Sequence, residues 1–131
     1  MKICVTATAS SLDAQIDPRF GRCPYFIVVD SETMKFEAIR NVASSAIGGA
    51  GIRAAQTVSS KEVKVLITGN IGPNAFQALS AAGIKVMTGA SGIVREAIVK
   101  YKRDELKETN TPTVRGHYGM GTGRGRGQRQ Q

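Results

Sequence analysis

The stretch Asp17-Pro18-Arg19-Phe20-Gly21-Arg22-Cys23-Pro24-Tyr25-Phe26 constrains this chain more than any other. It reads as a turn that runs straight into a strand. Pro18 fixes φ, and Gly21 supplies a backbone angle that a residue with a Cβ resists. Phe20 is an apolar side chain inside the turn and is expected to fold back as a plug. Arg19 and Arg22 flank it with permanent positive charge. Pro24 can open a strand without losing a ladder bond, and Tyr25 to Val29 read as that strand. Two arginines on a rigid turn beside a sheet make a candidate anion site. The alternative is a packed surface turn with solvated arginines.

The rest of the chain supplies a frame for this turn. Residues 2–8 are rich in β-branched side chains and predict a first strand, with Cys4 as a small core residue. Residues 9–23 form a long polar loop holding the motif. A second strand is expected over 24–30 and a third over 35–41, joined by a hairpin turn at 31–34. Residues 42–51 lead into a helix that runs to Ser60, with Ala54, Ala55 and Val58 as its apolar stripe. Residues 63–68 predict a buried fourth strand. Pro73 opens a second helix, with Phe76 and Leu79 inward and Gly83 as its C-terminal cap. A fifth strand follows at 84–87. A third helix begins near Ser91, its candidate N-cap, and extends to about Glu108 with Ile93, Val94, Ala97, Ile98 and Tyr101 on one face. The order β-β-β-α-β-α-β-α predicts an α/β domain. The first three strands form an antiparallel meander, and the fourth and fifth lie parallel to the first. The sheet is mixed and five-stranded, with helices on both faces.

Three glycine-rich loops follow strands and precede helices: Gly48-Gly49-Ala50-Gly51, Gly69-Asn70-Ile71-Gly72 and Gly89-Ala90-Ser91-Gly92. In an α/β sheet such loops gather at the carboxyl ends of parallel strands, where ligands bind. Free N–H groups at three helix starts would favour an anion. The motif loop leaves from the same end, so Arg19 and Arg22 would overhang that surface. The candidate binding set is therefore Arg19, Phe20, Gly21, Arg22, Gly48, Gly49, Gly51, Gly69, Asn70, Gly72, Gly89 and Gly92. The other reading is that these glycines serve only tight turns. Gly49-x-Gly51-x-x-Ala54 fits a dinucleotide fingerprint in letters, but a long loop separates it from the preceding strand and no acid ends the next one.

Catalysis is not expected. A two-metal nuclease site would need an acid on the first strand, and residues 2–8 have none. No Ser-His-Asp or Cys-His pair is evident. Cys4 and Cys23 are too few for a disulfide framework. Cys23, next to Arg22, is a candidate soft metal ligand if its thiol is exposed, and His117 is a second. No spacing makes a closed zinc site. No run approaches the ~20 apolar residues of a membrane span, no secretory signal is visible, and the cytoplasm is the expected compartment.

The net charge of +8 is unevenly placed. Residues 109–131 hold Arg115, Arg124, Arg126 and Arg129 and no acid. They also hold little that is apolar, so the domain is expected to span 1–108 and a disordered Gly/Arg-rich tail 109–131. Gly123-Arg124-Gly125-Arg126-Gly127 resembles segments that follow nucleic-acid phosphates, although Tyr118 is the tail's sole aromatic. A nucleic-acid module is thus the rival function.

Asp17-x-Arg19-Phe20-Gly21-Arg22 before Tyr25-Phe26 is followed in order by several further motifs. These are Gly49-Ala50-Gly51, Gly69-x-Ile71-Gly72-Pro73-Asn74-Ala75 and Leu79-x-x-Ala82-Gly83-Ile84-x-Val86. Together they resemble the dinitrogenase iron–molybdenum cofactor biosynthesis family over about residues 1–106. That family includes NifX-like carriers, the C-terminal region of NifB, and small stand-alone archaeal and bacterial proteins. The resemblance implies a ribonuclease H-like fold without nuclease activity. It also implies non-covalent binding of an anionic iron–sulfur or molybdenum-containing cluster, and partners that donate and receive it. A monomer is the expected state.

Overall fold

The computed structural model describes residues 1–114. The chain runs β1 (Lys2–Ala7), β2 (Tyr25–Asp30), β3 (Phe36–Arg40), α1 (Ala50–Ser59), β4 (Val65–Ile67), α2 (Pro73–Ala81), β5 (Lys85–Met87) and α3 (Val94–Lys102). The five strands form one sheet in the order β3-β2-β1-β4-β5. β1 pairs antiparallel with β2 and parallel with β4, and β4 pairs parallel with β5. This is the expected mixed sheet. Central β1 and β4 are buried along almost their whole length, as their apolar runs require.

Strand alternation divides the core in two. Cys4, Phe26, Val28, Leu66 and Val86 face α1 and α2, meeting Ala54, Ala55, Val58 and Leu79. Ile3, Val5, Ile27, Val29, Val65 and Ile67 face α3, meeting Val94, Ala97 and Ile98. Helices therefore cover both faces. α2 ends as expected: Gly83 takes φ 80°, its N–H donates to Ser80 O at 3.0 Å, and Ile84 N–H donates to Leu79 O at 3.0 Å. Together these bonds are a Schellman closure.

Two expectations need correction. α3 stops at Lys102 instead of reaching Glu108, and Asp104 follows with φ 59°. Its N-cap is Ile93, not Ser91, and no side chain caps it. The N–H groups of Val94 and Arg95 instead donate to the carbonyls of Ala14 and Leu12, at 3.0 and 2.8 Å. The long loop after β1 thus caps this helix with its own backbone.

The second correction concerns the start of the tail. Glu108 bridges Met87 on the outer edge of β5, and Thr109 N–H donates to Val86 O at 2.7 Å. The Thr109 and Thr88 hydroxyls lie 2.6 Å apart. Thr113 N–H donates to Ile71 O at 2.9 Å, while Ile71 N–H donates to Thr113 Oγ1 at 2.8 Å. Residues 109–114 therefore belong with the body. Hydrogen bonds hold them there, and these demand little apolar content. Among the described residues no helix is long and apolar enough to cross a membrane.

Candidate functional site

The motif turn is fastened to the sheet end from several sides. Asp17 N–H donates to Thr6 O at 3.0 Å, and Thr6 Oγ1 donates to Asp17 O at 2.7 Å. Thr6 has then spent its one proton, so Thr68, 2.8 Å away, donates to it. Pro18 O accepts Asn70 N–H at 2.7 Å, and Phe20 N–H donates to Asn70 O at 3.2 Å. A Cβ on Gly69 would lie 2.6 Å from Pro18 Cα, and only glycine allows this approach. Gly21, at φ 98°, is also closely packed: a Cβ there would come within 3.1 Å of Gly51 Cα. The two glycine-rich loops are thus drawn against the motif backbone to backbone. Phe20 folds in as the expected plug, its ring centroid 6.0 Å from that of Phe26.

The arginines are held, not free. Arg19 Nε and Nη2 donate to Asp17 Oδ1 and Oδ2 at 3.2 and 3.1 Å, a two-pronged grip on a buried carboxylate. That hydrogen-bonded partner raises the guanidinium pKa further. Asp17 Oδ1 also accepts Arg19 N–H at 2.9 Å. Arg22 Nη1 donates to the carbonyls of Ser44 and Ala46, at 3.0 and 2.7 Å. Each guanidinium keeps further N–H groups for a ligand, since arginine carries five. Buried Asn41 completes the support, donating to Gly21 O and Cys23 O at 3.1 and 2.9 Å.

These elements enclose a cavity of about 500 Å³, within the ~300–1,000 Å³ usual for small-ligand sites. Its wall includes Arg19, Phe20, Gly21, Arg22, Gly48, Gly49, Gly51, Asn70 and Gly72 from the expected set. Gly69 stands behind the wall, against Pro18. Gly89 and Gly92 do not line it. The start of α3 is excluded as a donor surface, because Leu12 and Ala14 already take its first N–H groups.

The N-termini of α1 and α2 remain, and both enter the wall. Neither carries a side-chain cap. They meet closely, since a Cβ on Gly51 would lie 3.4 Å from Ala75 Cβ. Two positive helix ends and two arginines thus face one space. Among the described residues no acid, cysteine or histidine lines it, and no group of three or more His, Cys, Asp or Glu could hold a metal ion.

Cys23 is not an exposed ligand. It is fully buried with Phe20 and Phe26 in the core, and its thiol is pushed up to about 12 by burial and then by the negative charge of Asp17. Hydrogen bonds from Gly21 and Asn41 only partly offset this. Cys4 is likewise buried with its pKa raised. His117 lies outside the described residues. Reasoning on the sequence missed Asp17 as the clamp on Arg19, Ile47 and Val114 on the cavity rim, and the wall residues Ile52, Asn74 and Ala75. Asn74 and Ala75 follow Gly72 and Pro73 directly, so the loop-to-helix signal extended to them.

Residues 1–104 match the dinitrogenase iron-molybdenum cofactor family. The chain belongs to this family. The apo form of the orange protein from Desulfovibrio gigas is 43% identical, with a TM-score of 0.84, over 86% of this chain and 96% of that one. A Thermotoga protein assigned to NifB is 35% identical, with a TM-score of 0.73, over 86% of this chain and 98% of that one. An uncharacterised protein of Methanocaldococcus jannaschii is 29% identical over 72% of this chain and 82% of its own length. The family match covers every described residue of the cavity lining apart from Val114.

Proposed function

We propose that this protein binds an anionic metal–sulfur cluster, of iron–sulfur or molybdenum type, in the cavity under the motif turn, and carries it without catalysing a reaction. One observation carries the reading. A cavity in a cofactor-family chain is walled by two helix N-termini and two arginines, with no acid, thiol or imidazole among its described lining residues. Such a wall suits an anion that arrives with its own complete ligand set. Backbone N–H groups and guanidinium forks would hold its outer sulfides or oxyanions by hydrogen bonds and charge. Phe20 and Ile71 would cover its less charged faces. A wall whose described residues offer no strong metal ligand also suits release, which transfer from a donor to a recipient protein requires. The relative solved in its apo form points the same way. We also read the sheet order as ribonuclease H-like; β1 carries no acid that would make a nuclease site.

The test is anaerobic titration with tetrathiomolybdate and with an extracted iron–molybdenum cluster, followed by metal analysis and amide-shift mapping. Shifts are expected in 18–22, 48–52 and 70–75, and not in 89–92. Absence of binding, or shifts lying elsewhere, would refute the carrier reading.

A further inference from the structure

We propose that Thr113 is a positioning residue for the anion site: by holding both peptide groups of Ile71, it turns the Gly72 N–H into the cavity. This rests on the carrier reading above. It adds a donor that is preset from beyond the family match, which ends at residue 104. Thr113 reaches Ile71 through both side chain and backbone. Its hydroxyl accepts Ile71 N–H at 2.8 Å and donates its one proton to Ile71 O at 3.2 Å. The N–H groups of Thr113 and Val114 donate to the same carbonyl, at 2.9 and 3.2 Å.

Peptide geometry carries this hold to the next residue. A trans peptide points its C=O and its N–H to opposite sides. Asn70 turns both of its groups to the motif: its N–H donates to Pro18 O at 2.7 Å, and its C=O accepts Phe20 N–H at 3.2 Å. Ile71 turns both of its own to Thr113 and Val114. Gly72 N–H shares a peptide with Ile71 C=O, so it faces the motif side again. Gly72 is extended, at φ −84° and ψ 173°, in keeping with this alternation. A continued ladder would pair Gly72 N–H with Phe20 O, but among the described residues no backbone carbonyl accepts it. Phe20 and Gly72 both line the cavity, so this N–H opens onto that space. It stands at the start of α2, where negative charge is favoured. If Ile71 C=O swung round, Gly72 N–H would turn away and a carbonyl oxygen would face the anion. Thr113 thus decides whether this peptide attracts or repels the cargo.

Full-length variants test this by anaerobic tetrathiomolybdate titration, with the Gly72 amide followed by NMR. Thr113→Val loses the hydroxyl bonds, and Thr113→Pro loses the N–H bond as well. Binding should weaken severalfold in the first and roughly tenfold in the second, about the share of one hydrogen bond to a charged group. Thr113→Ser keeps the hydroxyl and should restore binding. Thr109→Val is the control. It breaks the contact with Thr88, and neither residue lines the cavity. It should lower the thermal midpoint without changing affinity. In the parent chain the Gly72 amide proton should move downfield as the anion binds. This movement should shrink in Thr113→Val and most in Thr113→Pro. Affinities that do not differ among the Thr113 variants, a Gly72 amide indifferent to the anion, or an equal loss of affinity in Thr109→Val would each overturn the positioning role and leave the carrier reading intact. If the parent chain binds no tetrathiomolybdate, both readings fall.

Discussion

Gly69 and Pro18 touch backbone to backbone: a Cβ on Gly69 would lie 2.6 Å from Pro18 Cα and 2.9 Å from its carbonyl oxygen. The obstacle is main chain, which cannot rotate aside. Gly69→Ala should therefore push the motif turn off the β4–α2 loop and break the Pro18–Asn70 bond. The expected cost is ~1–3 kcal/mol, as for overpacking, read as a lower urea midpoint. Anion affinity should fall too, because Arg19 and Phe20 move with the turn. Unchanged stability would mean that this close approach is not kept in solution.

The two arginines should respond differently to loss of charge. Arg19→Gln removes a cavity charge and strands the buried Asp17 carboxylate, so both anion binding and stability should drop. Asp17→Asn keeps the charge of Arg19 but weakens its grip, so binding should fall while the guanidinium becomes more mobile by side-chain relaxation. Arg22→Gln should loosen the Ser44–Ala46 segment, seen as faster amide exchange there. Equal effects of all three on binding alone would argue against these separate roles.

The Cys23 thiol should be inert to iodoacetamide in the native protein at pH 8 and reactive once unfolded. Its folded pKa of about 12 lies above the ordinary thiol value of 9.0. A group raised on folding contributes stability that is complete below its unfolded pKa and is lost as pH rises toward the folded one. Stability should therefore decline between about pH 9 and 12, and Cys23→Ala should flatten that decline. Rapid native alkylation at pH 8 would contradict the burial.

Truncations should separate residues 109–114 from the rest of the C-terminus by stability alone. Removing 115–131 should leave the thermal midpoint nearly unchanged. Removing 109–131 also strips the bonds to Val86, Thr88 and Ile71, leaving buried donors and acceptors exposed or unpaired. A measurable fall in midpoint is expected, since lost hydrogen bonds cost ~1 kcal/mol each. Identical midpoints for both truncations would show that the bonds of residues 109–114 contribute nothing.

Most of the frame was legible because it rests on local chemistry. The β-branched runs at Lys2–Ala7 and Val65–Ile67 mark central strands, and connection rules order them. The Gly83 cap follows from its place after an apolar helix. What escaped notice depends on partners distant in sequence. Leu12 and Ala14 cap α3 across some eighty residues, so the first turn of α3 looks open when read alone. Cys23 beside Arg22 suggested an activated thiol, but in this turn the guanidinium goes outward and the sulfur inward. Thr109 and Thr113 were assigned to a tail because composition registers burial and does not register hydrogen bonds. The grip of the Asp17 carboxylate on Arg19, two residues on, depends on side-chain directions that the motif letters do not specify.

The seam where Gly21, Gly51 and Ala75 crowd together has a consequence for how this protein tolerates genetic drift. The donors at the two helix starts are peptide N–H groups, and only a substitution to proline deletes one. Truncating side chains one by one, as alanine scanning does, would leave much of the recognition surface standing. The harmful changes are those that add atoms: a methyl at residue 69 would run into Pro18 Cα at 2.6 Å, and one at residue 21 would press on Gly51 Cα at 3.1 Å in a backbone conformation that already disfavours it. Selection at these sites acts as a ceiling on size, while the rim positions held by Ile47 and Val114 can vary and so retune which cargo the same cradle accepts.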